Sequence, residues 1–285
     1  MKILVFGRVG QVGSALVELL AGRYPVQFLD QPEVDFADPA SAVAQVRSQQ
    51  PDVVINAAAY TAVDKAQAEP ELAHTINAQA PAAIAAACTE IGATIIHYST
   101  DYVFDGGATA PYTEEAPVAP QSVYGMSKLA GEQAVQAASD RHIILRTAWL
   151  YSHVGQNFVK TMLRLAAAGK PLRVVADQVG SPTYAWDLAQ ATVGIVDALA
   201  GGREDGFGIF HATNSGMTSW HGFAAKLFEL TGHDDIAVVP ITTAEYPTPA
   251  PRPAFSVLSC ARLKQGYGIE LPDWQEALAR CLARL

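Results

Sequence analysis

Three glycines set the strongest constraint on how this chain can fold. Gly7, Gly10 and Gly13 follow directly on the short apolar run Lys2–Phe6 and open the Ala- and Leu-rich stretch Gln11–Ala21. A glycine-rich turn placed between a strand and a helix is the fingerprint of a dinucleotide site. Gly7 permits the tight turn, Gly10 lets the backbone approach a pyrophosphate, and Gly13 lets helix and sheet pack closely. The helix start then offers unpaired N–H groups and a partial positive charge to the anion. Asp30 closes the second apolar run about 20 residues past Gly10, where a carboxylate accepts hydrogen bonds from adenosine ribose hydroxyls. That spacing leans towards NADH. Arg8, inside the glycine turn, could meet a 2′-phosphate, so NADPH stays open.

The same alternation continues along the first half of the chain. Apolar, β-branched runs at Lys2–Phe6, Val26–Asp30, Val53–Asn56, Thr94–Tyr98 and His142–Arg146 read as strands buried on both faces. Helical stretches near Gln11–Ala21, Pro39–Ser48, Glu69–Ile91 and Ser122–Ala138 lie between them. Strand and helix in strict alternation predict right-handed crossovers, hence an α/β fold with a Rossmann-type, doubly wound parallel sheet. After Trp149 the pattern loosens into helices near Asn157–Ala168, Trp186–Leu199, Ser219–Thr231 and Trp274–Leu285, with a strand at Gly208–Ala212. Prolines gather at Pro240, Pro247, Pro249, Pro251 and Pro253. Residues 1–150 are therefore expected to form the nucleotide-binding domain. Residues 151–285 are expected to form a smaller C-terminal substrate-binding region over the carboxyl edge of the sheet.

Composition narrows the partners. The chain has 19 Lys and Arg against 28 Asp and Glu, with no basic run, which argues against a polyphosphate backbone as ligand. Apolar stretches such as Ile3–Phe6 and Pro81–Cys88 fall far short of the roughly 20 residues of a membrane span. The N-terminal run leads into the glycine turn and not into a cleavage site of small residues. Cys88, Cys260 and Cys281 form no CxxC pair and cannot all pair with one another, which fits a reducing compartment. The expectation is a soluble cytoplasmic protein with no nucleic-acid or membrane partner.

The chemistry points to the helix after the fourth strand. Tyr124 and Lys128 stand four residues apart, on one face of a helix. A nearby ammonium favours ionisation of a phenol whose ordinary pKa is about 10, so the pair could shuttle a proton. The fourth strand runs into Ser99-Thr100-Asp101-Tyr102, placing a hydroxyl at its carboxyl edge to hold a substrate oxygen. Thr100 is the first candidate and Ser99 the competing one. No G-x-S-x-G elbow, phosphate-binding G-x-x-x-x-G-K-[ST] loop or H-E-x-x-H is present. The seven histidines, His97, His211 and His221 among them, lack metal-ligand spacing and read as satisfied or solvated side chains.

Taken together, these blocks resemble the extended short-chain dehydrogenase/reductases. The resemblance rests on Gly7-x-x-Gly10-Gln11-x-Gly13, Asn56-Ala57-Ala58-Ala59-Tyr60-Thr61-Ala62-Val63-Asp64, Tyr98-Ser99-Thr100-Asp101-Tyr102-Val103-Phe104 and Tyr124-Gly125 through Lys128-Leu129-Ala130-Gly131-Glu132. More narrowly the chain is similar to the family that reduces dTDP-4-dehydrorhamnose. That likeness continues through Arg146-Thr147-Ala148-Trp149, Asn157–Met162, Asp177–Thr183 and Arg252-Pro253. It implies NADH or NADPH as cofactor, lined by Gly7, Gly10, Gln11, Val12, Gly13, Asp30, Asp35, Phe36, Ala59, Tyr60, Thr61, Tyr98, Tyr124 and Lys128. It implies Thr100, Tyr124 and Lys128 as the catalytic trio, and Thr100, Asp101 and Trp149 at the sugar nucleotide. Residues 184–213 would return to the Rossmann sheet.

The implied reaction is hydride transfer to the C4 keto group of dTDP-4-dehydro-6-deoxy-L-mannose, giving dTDP-L-rhamnose for cell-surface polysaccharide. Some relatives hold Mg²⁺ between glutamates at a dimer interface. The corresponding position here is Trp186, which has no anionic oxygen for a hard cation, so no metal and a monomer or metal-free homodimer are expected. Two readings compete: a reductase of another nucleoside-diphosphate 4-keto-6-deoxy sugar, and a non-catalytic NAD(P)-binding regulator resembling that of methionine adenosyltransferase.

Overall fold

The structure is a computed structural model that describes residues 1–285 apart from 168, 170, 234 and 235. Six parallel strands, Ile3–Phe6, Val26–Leu29, Val53–Asn56, Thr94–Thr100, His142–Thr147 and Gly208–His211, form its main sheet. In space the order is second, first, third, fourth, fifth, sixth. The direction of winding therefore reverses between the first and third strands, and a crevice opens there at the carboxyl ends.

The apolar runs of the four inner strands are continuous because each is covered on both faces, whereas the edge strand Val26–Leu29 leaves Gln27 exposed. Ile3, Val5, Val53, Ile55 and Leu145 face the helices Gln11–Leu20 and Ala185–Ala200. Their neighbours Leu4, Phe6, Val54, Ile95 and Ile144 face Pro39–Gln49, Ala80–Ile91 and Val123–Ala138. A third cluster, with Tyr151, Val159, Tyr184, Phe223, Leu227, Trp274 and Leu278, forms the core of the smaller C-terminal region. Short paired strands brace that region, Leu172–Val175 against Val238–Ile241 and Leu150–Tyr151 against Thr183–Tyr184.

Boundaries differ from expectation in a few instructive places. The fourth strand runs two residues further, to Thr100, so the candidate hydroxyls lie on the strand itself. The expected helix Glu69–Ile91 is three joined pieces, with a π-helical segment Thr75–Gln79 between Pro70–His74 and Ala80–Ile91. Its Asn77 carbonyl lies against the Val123–Ala138 helix, where a Cβ on Gly131 would stand 2.0 Å from that oxygen. The helix expected at Asn157–Ala168 spans Phe158–Ala166, with Asn157 capping it, and Ala168 lies outside the described residues. The last helix ends at Leu282. Gly208–His211 pairs with the fifth strand, so the chain re-enters the main sheet after residue 200.

One polar contact is embedded in this apolar frame. Arg146 on the fifth strand donates to both oxygens of Glu132 at 2.8 and 2.7 Å, and both side chains are almost fully buried. The Phe104 ring lies 5.1 Å from the guanidinium carbon. A paired buried charge tolerates this setting, whereas an unpaired one does not. Arg146→Met is expected to cost about 3–5 kcal/mol in urea unfolding, and the double variant Glu132→Leu/Arg146→Met to recover most of it. An unchanged midpoint in the single variant would show that the pair bears no such weight.

Candidate active site

The glycine turn is built for a ligand that approaches backbone closely. A Cβ on Gly13 would lie 1.9 Å from the Gly7 carbonyl oxygen, so no other residue fits without moving main chain. The helix beginning at Gln11 is capped by Gly10, with no side chain bonded to its first N–H groups. Those donors remain for an anion. Asp30 stands beside the turn: Oδ2 accepts from the Val9 N–H at 3.0 Å and Oδ1 from the Gln31 N–H at 2.9 Å. Arg8 donates to Glu33 at 2.9 Å and to the Phe28 carbonyl at 3.2 Å, so its guanidinium is already engaged.

The other expected cofactor residues surround this turn in different ways. Val12 and Phe36 are buried, and the Phe36 ring meets Phe6 edge-on at 5.6 Å. Asp35 Oδ1 accepts from the Ala37 N–H. Ala59, Tyr60 and Thr61 form the loop after the third strand, with Thr61 exposed. Tyr60 is anchored at both ends, its N–H donating to Asn77 Oδ1 at 2.8 Å and its hydroxyl to Glu69 at 2.6 Å. Gln11 accepts from Asn157 Nδ2 at 3.0 Å, tying the glycine turn to the C-terminal region. The Tyr98 hydroxyl is buried against Thr192 at 2.7 Å, and its carbonyl accepts from Lys128 Nζ at 2.6 Å.

At the carboxyl end of the fourth strand the expected chemical groups come together. Ser122 caps the helix Val123–Ala138, which carries Tyr124 and Lys128 on one face. Lys128 Nζ donates to the Tyr98 carbonyl at 2.6 Å and lies 3.5 Å from His97 Nε2. Burial draws the Lys128 ammonium down to about 8, with the Glu132 carboxylate pulling the other way. Burial pushes the Tyr124 phenol up to about 12, opposed by the neighbouring Thr100 hydroxyl and reinforced by Asp101. In this state the phenol is thus a held proton, not a phenolate. Thr100 Oγ1 donates to Asp101 Oδ1 at 2.9 Å and accepts from the Tyr102 N–H. Asp101 Oδ2 is buried with no hydrogen-bond partner, as is Ser99 Oγ.

Next to this cluster lies a cavity of about 470 Å³, lined in part by Asp64, Tyr102, Phe158, Trp220, Tyr246 and Arg252. Arg252 donates to Asp64 at 2.8 Å and thereby joins the short helix Val63–Ala66, which follows the third strand, to the C-terminal chain. Trp149 stacks on Trp220 with ring centres 3.6 Å apart and planes 5° from parallel. Its backbone is left-handed, φ +47°, a conformation uncommon outside glycine. Tyr184 is buried in the third cluster with its hydroxyl on His153. Sequence reasoning named Arg252 only as part of the resemblance, without a place in the site, and missed His97, Asn77 and Trp220 as contributors to this region. The signal was faint: single polar or aromatic residues in otherwise apolar or proline-rich stretches.

Trp186, the position where a metal-binding acid was sought, carries the Arg284 guanidinium 4.1 Å from its ring centre, and Arg284 is paired with Glu18 at 2.6 Å. Among the described residues no group of three or more His, Cys, Asp or Glu could hold a metal ion. Among the same residues no helix is long and apolar enough to cross a membrane.

Comparison with known proteins gives the same outline. The family model described as "RmlD substrate binding domain" matches residues 1–285. The chain is 46% identical over 285 residues to a dTDP-4-dehydrorhamnose reductase of Sinorhizobium fredii, covering 98% of this chain and 96% of that protein. A crystal structure of a dTDP-4-dehydrorhamnose reductase from Clostridium acetobutylicum superposes with a TM-score of 0.94 at 43% identity, covering 99% of each chain. One from Bacillus anthracis, in complex with NADP, superposes with a TM-score of 0.93 at 36% identity, covering 100% of this chain and 99% of that one.

The buried Asp101 supplies a pH test. Burial pushes its carboxyl up to about 6 from an ordinary value near 3.8, so the fold favours the neutral form. The associated stability is complete below the unfolded value and is lost as pH rises through 6. Asp101→Asn is therefore expected to exceed wild type in stability above pH 6 by on the order of 1–3 kcal/mol, with the difference fading towards pH 4. Urea melts of both proteins across that range check it, and a pH-independent difference would count against it.

Proposed function

This chain belongs to the RmlD substrate-binding-domain family, and from that premise we propose how its residues divide the work of a dTDP-4-dehydrorhamnose reductase. The reaction is the NAD(P)H-dependent reduction of the C4 keto group of dTDP-4-dehydrorhamnose, in dTDP-L-rhamnose biosynthesis. The observation that carries the assignment of roles is the meeting of Thr100, Tyr124 and Lys128 at one strand end, beside the crevice that the glycine turn enters.

The glycine turn fits a dinucleotide, since side chains are excluded from it and its helix N–H groups carry no side-chain cap. Gly7, Gly10, Gln11, Val12 and Gly13 would cradle the pyrophosphate, and Asp30 the adenosine ribose. Asp35, Phe36, Ala59, Tyr60, Thr61 and the Tyr98 main chain would complete the wall. When bound, the reduced nicotinamide supplies a hydride. Tyr124 gives its proton to the C4 oxygen as that oxygen becomes an alkoxide, which suits a phenol held protonated. Lys128 orients the nicotinamide ribose and balances the charge left on Tyr124. Thr100 donates to the keto oxygen, turning its proton away from Asp101, and so stabilises charge where it develops. The cavity beside Trp220 would take the thymidine diphosphate, with Arg252 at the phosphates and Trp149 and Asp101 against the sugar.

Residues 1–150 and 184–213 would then hold the cofactor, and the rest the sugar nucleotide. The presence of all three chemical groups weighs against the regulatory reading. The 46% identity to a dTDP-4-dehydrorhamnose reductase weighs against another nucleotide. All three cysteines are unpaired, and burial pushes the Cys88 and Cys281 thiols up to about 12, which suits the reducing cytoplasm. The Trp186–Arg284–Glu18 cluster places a cation of the chain's own where a metal was considered, favouring a monomer or a metal-free homodimer.

Tyr124→Phe is expected to bind NADH nearly as wild type does while losing about 10²–10⁴-fold in turnover. Fluorescence titration and NADH oxidation on adding dTDP-4-dehydrorhamnose measure the two, and a variant that keeps the full rate would refute the role. The mass in solution is expected to be the same in EDTA and in added Mg²⁺. A shift between the two, read by light scattering, would overturn the metal-free state.

A further inference from the structure

Behind the proposed catalytic face lies a group that the mechanism above does not use. His97 is fully buried on the fourth strand, in register with Asn56 on the third. Asn56 Oδ1 accepts from the Ala58 N–H at 3.3 Å, which turns the amide nitrogen towards His97 Nδ1 at 3.2 Å. An amide nitrogen only donates, so Nδ1 accepts, and a neutral imidazole there carries its one proton on Nε2. That Nε2 faces Lys128 Nζ at 3.5 Å, while Nζ donates to the Tyr98 carbonyl on its other side. An ammonium has three protons and no lone pair, so it cannot accept from Nε2–H, whereas a neutral amine can.

We propose that Asn56 and His97 are a positioning pair that sets the proton count of Lys128: the amide fixes the imidazole tautomer, and the N–H it presents steadies the neutral amine. The ammonium is then the working form, and the amine is the form the pair favours as pH rises. In turnover the Tyr124 proton goes to the alcohol oxygen, the ammonium balances the phenolate until solvent returns a proton to it, and a lysine that has lost its own proton meets His97 Nε2–H instead.

The surroundings of Lys128 agree with this. On its own helix Glu132 lies one turn on and Tyr124 one turn back, and Glu132 is the group that favours the ammonium. Glu132 is engaged by Arg146 of the fifth strand, which leaves less of its charge for the lysine. Among the described residues, the fourth strand brings to Lys128 Nζ the His97 ring at 3.5 Å and the Tyr98 carbonyl at 2.6 Å. Burial, and then the Lys128 charge, hold His97 well below the usual histidine range, so the ring stays neutral.

Two measurements test the pair, of which only the kinetic one rests on the reductase reading. In ¹⁵N-histidine NMR of the unaltered protein at about pH 7, the buried histidine in contact with Lys128 is expected as the neutral, Nε2-protonated tautomer. An Nδ1-protonated ring or an imidazolium there would overturn the proposal, whatever the chain reduces. In kinetics, kcat/KM for dTDP-4-dehydrorhamnose with NADH is expected to fall as pH rises through the Lys128 ionisation, because the ammonium is the working form. Asn56→Asp takes the Nδ1 proton and turns the Nε2 lone pair to the lysine, while His97→Gln can present a carbonyl oxygen. In each the fall should move up by about one pH unit or more. A fall that stays in place, in either variant with wild-type melting temperature and NADH affinity, would dismiss the pair as merely structural. Absence of any keto-sugar reduction by the unaltered protein would instead strike the reductase reading and leave the NMR result standing.

Discussion

The site depends on how the Val123–Ala138 helix is seated. It meets the π-helical segment at a distance that only Gly131 allows, and it reaches the fourth strand through Lys128 and the Tyr98 carbonyl. One turn further it is fixed to the fifth strand by the buried Glu132–Arg146 pair. These contacts leave the helix little freedom to slide or rotate. The phenol and the amine are positioned by the same buried contacts that hold the core together, as precise chemistry requires. Because the lysine is drawn into that core, it loses solvation, and so its proton becomes exchangeable.

Much of this was legible in the sequence. The five apolar runs of the first half and the strand near Gly208 predict the sheet to within two residues at each end, since strands covered on both faces must be continuously apolar. Tyr124, Lys128 and a strand-end hydroxyl were legible because helix and strand periodicities place them at one edge, and the family resemblance picked Thr100 over Ser99. The π-helical insertion was not, for the Ala-rich stretch around Asn77 reads as an ordinary helix until its carbonyl is seen against Gly131. His97 reads as a core histidine from sequence, and it is one. Strands three and four in register bring Asn56 beside it, and its contact with Lys128 appears only when the Val123–Ala138 helix is laid on the fourth strand. Trp220 meets Trp149 and Arg252 meets Asp64 from far along the chain, so no local pattern announces those contacts.

The two halves of the cleft are made by different physics. On the dinucleotide side the protein offers main chain: glycines, helix N–H groups and one strand-end carboxylate, Asp30. On the cavity side it offers rings and charged ends, with Trp149 and Trp220 stacked, Phe158 tilted against them and Arg252 tied to Asp64. Main-chain recognition is indifferent to side-chain identity beyond the need for smallness, which is why it leaves a readable motif. Recognition by stacked rings depends on loops assembled from remote segments, which is why it does not.

The Asp64–Arg252 pair has a consequence for how an anionic ligand would enter. The guanidinium is already neutralised before anything arrives. A diphosphate settling on it would therefore come as a replacement, with carboxylate exchanged for phosphate and the charge at Arg252 satisfied before and after. Such a swap makes the occupied state only weakly sensitive to ionic strength, and places most of the salt dependence in the approach. The short helix Val63–Ala66 that carries Asp64 would keep its other tie to the C-terminal chain, the Ala250 N–H on Asp64 Oδ1 at 3.1 Å, so the exchange alters the border between the two compartments without opening it.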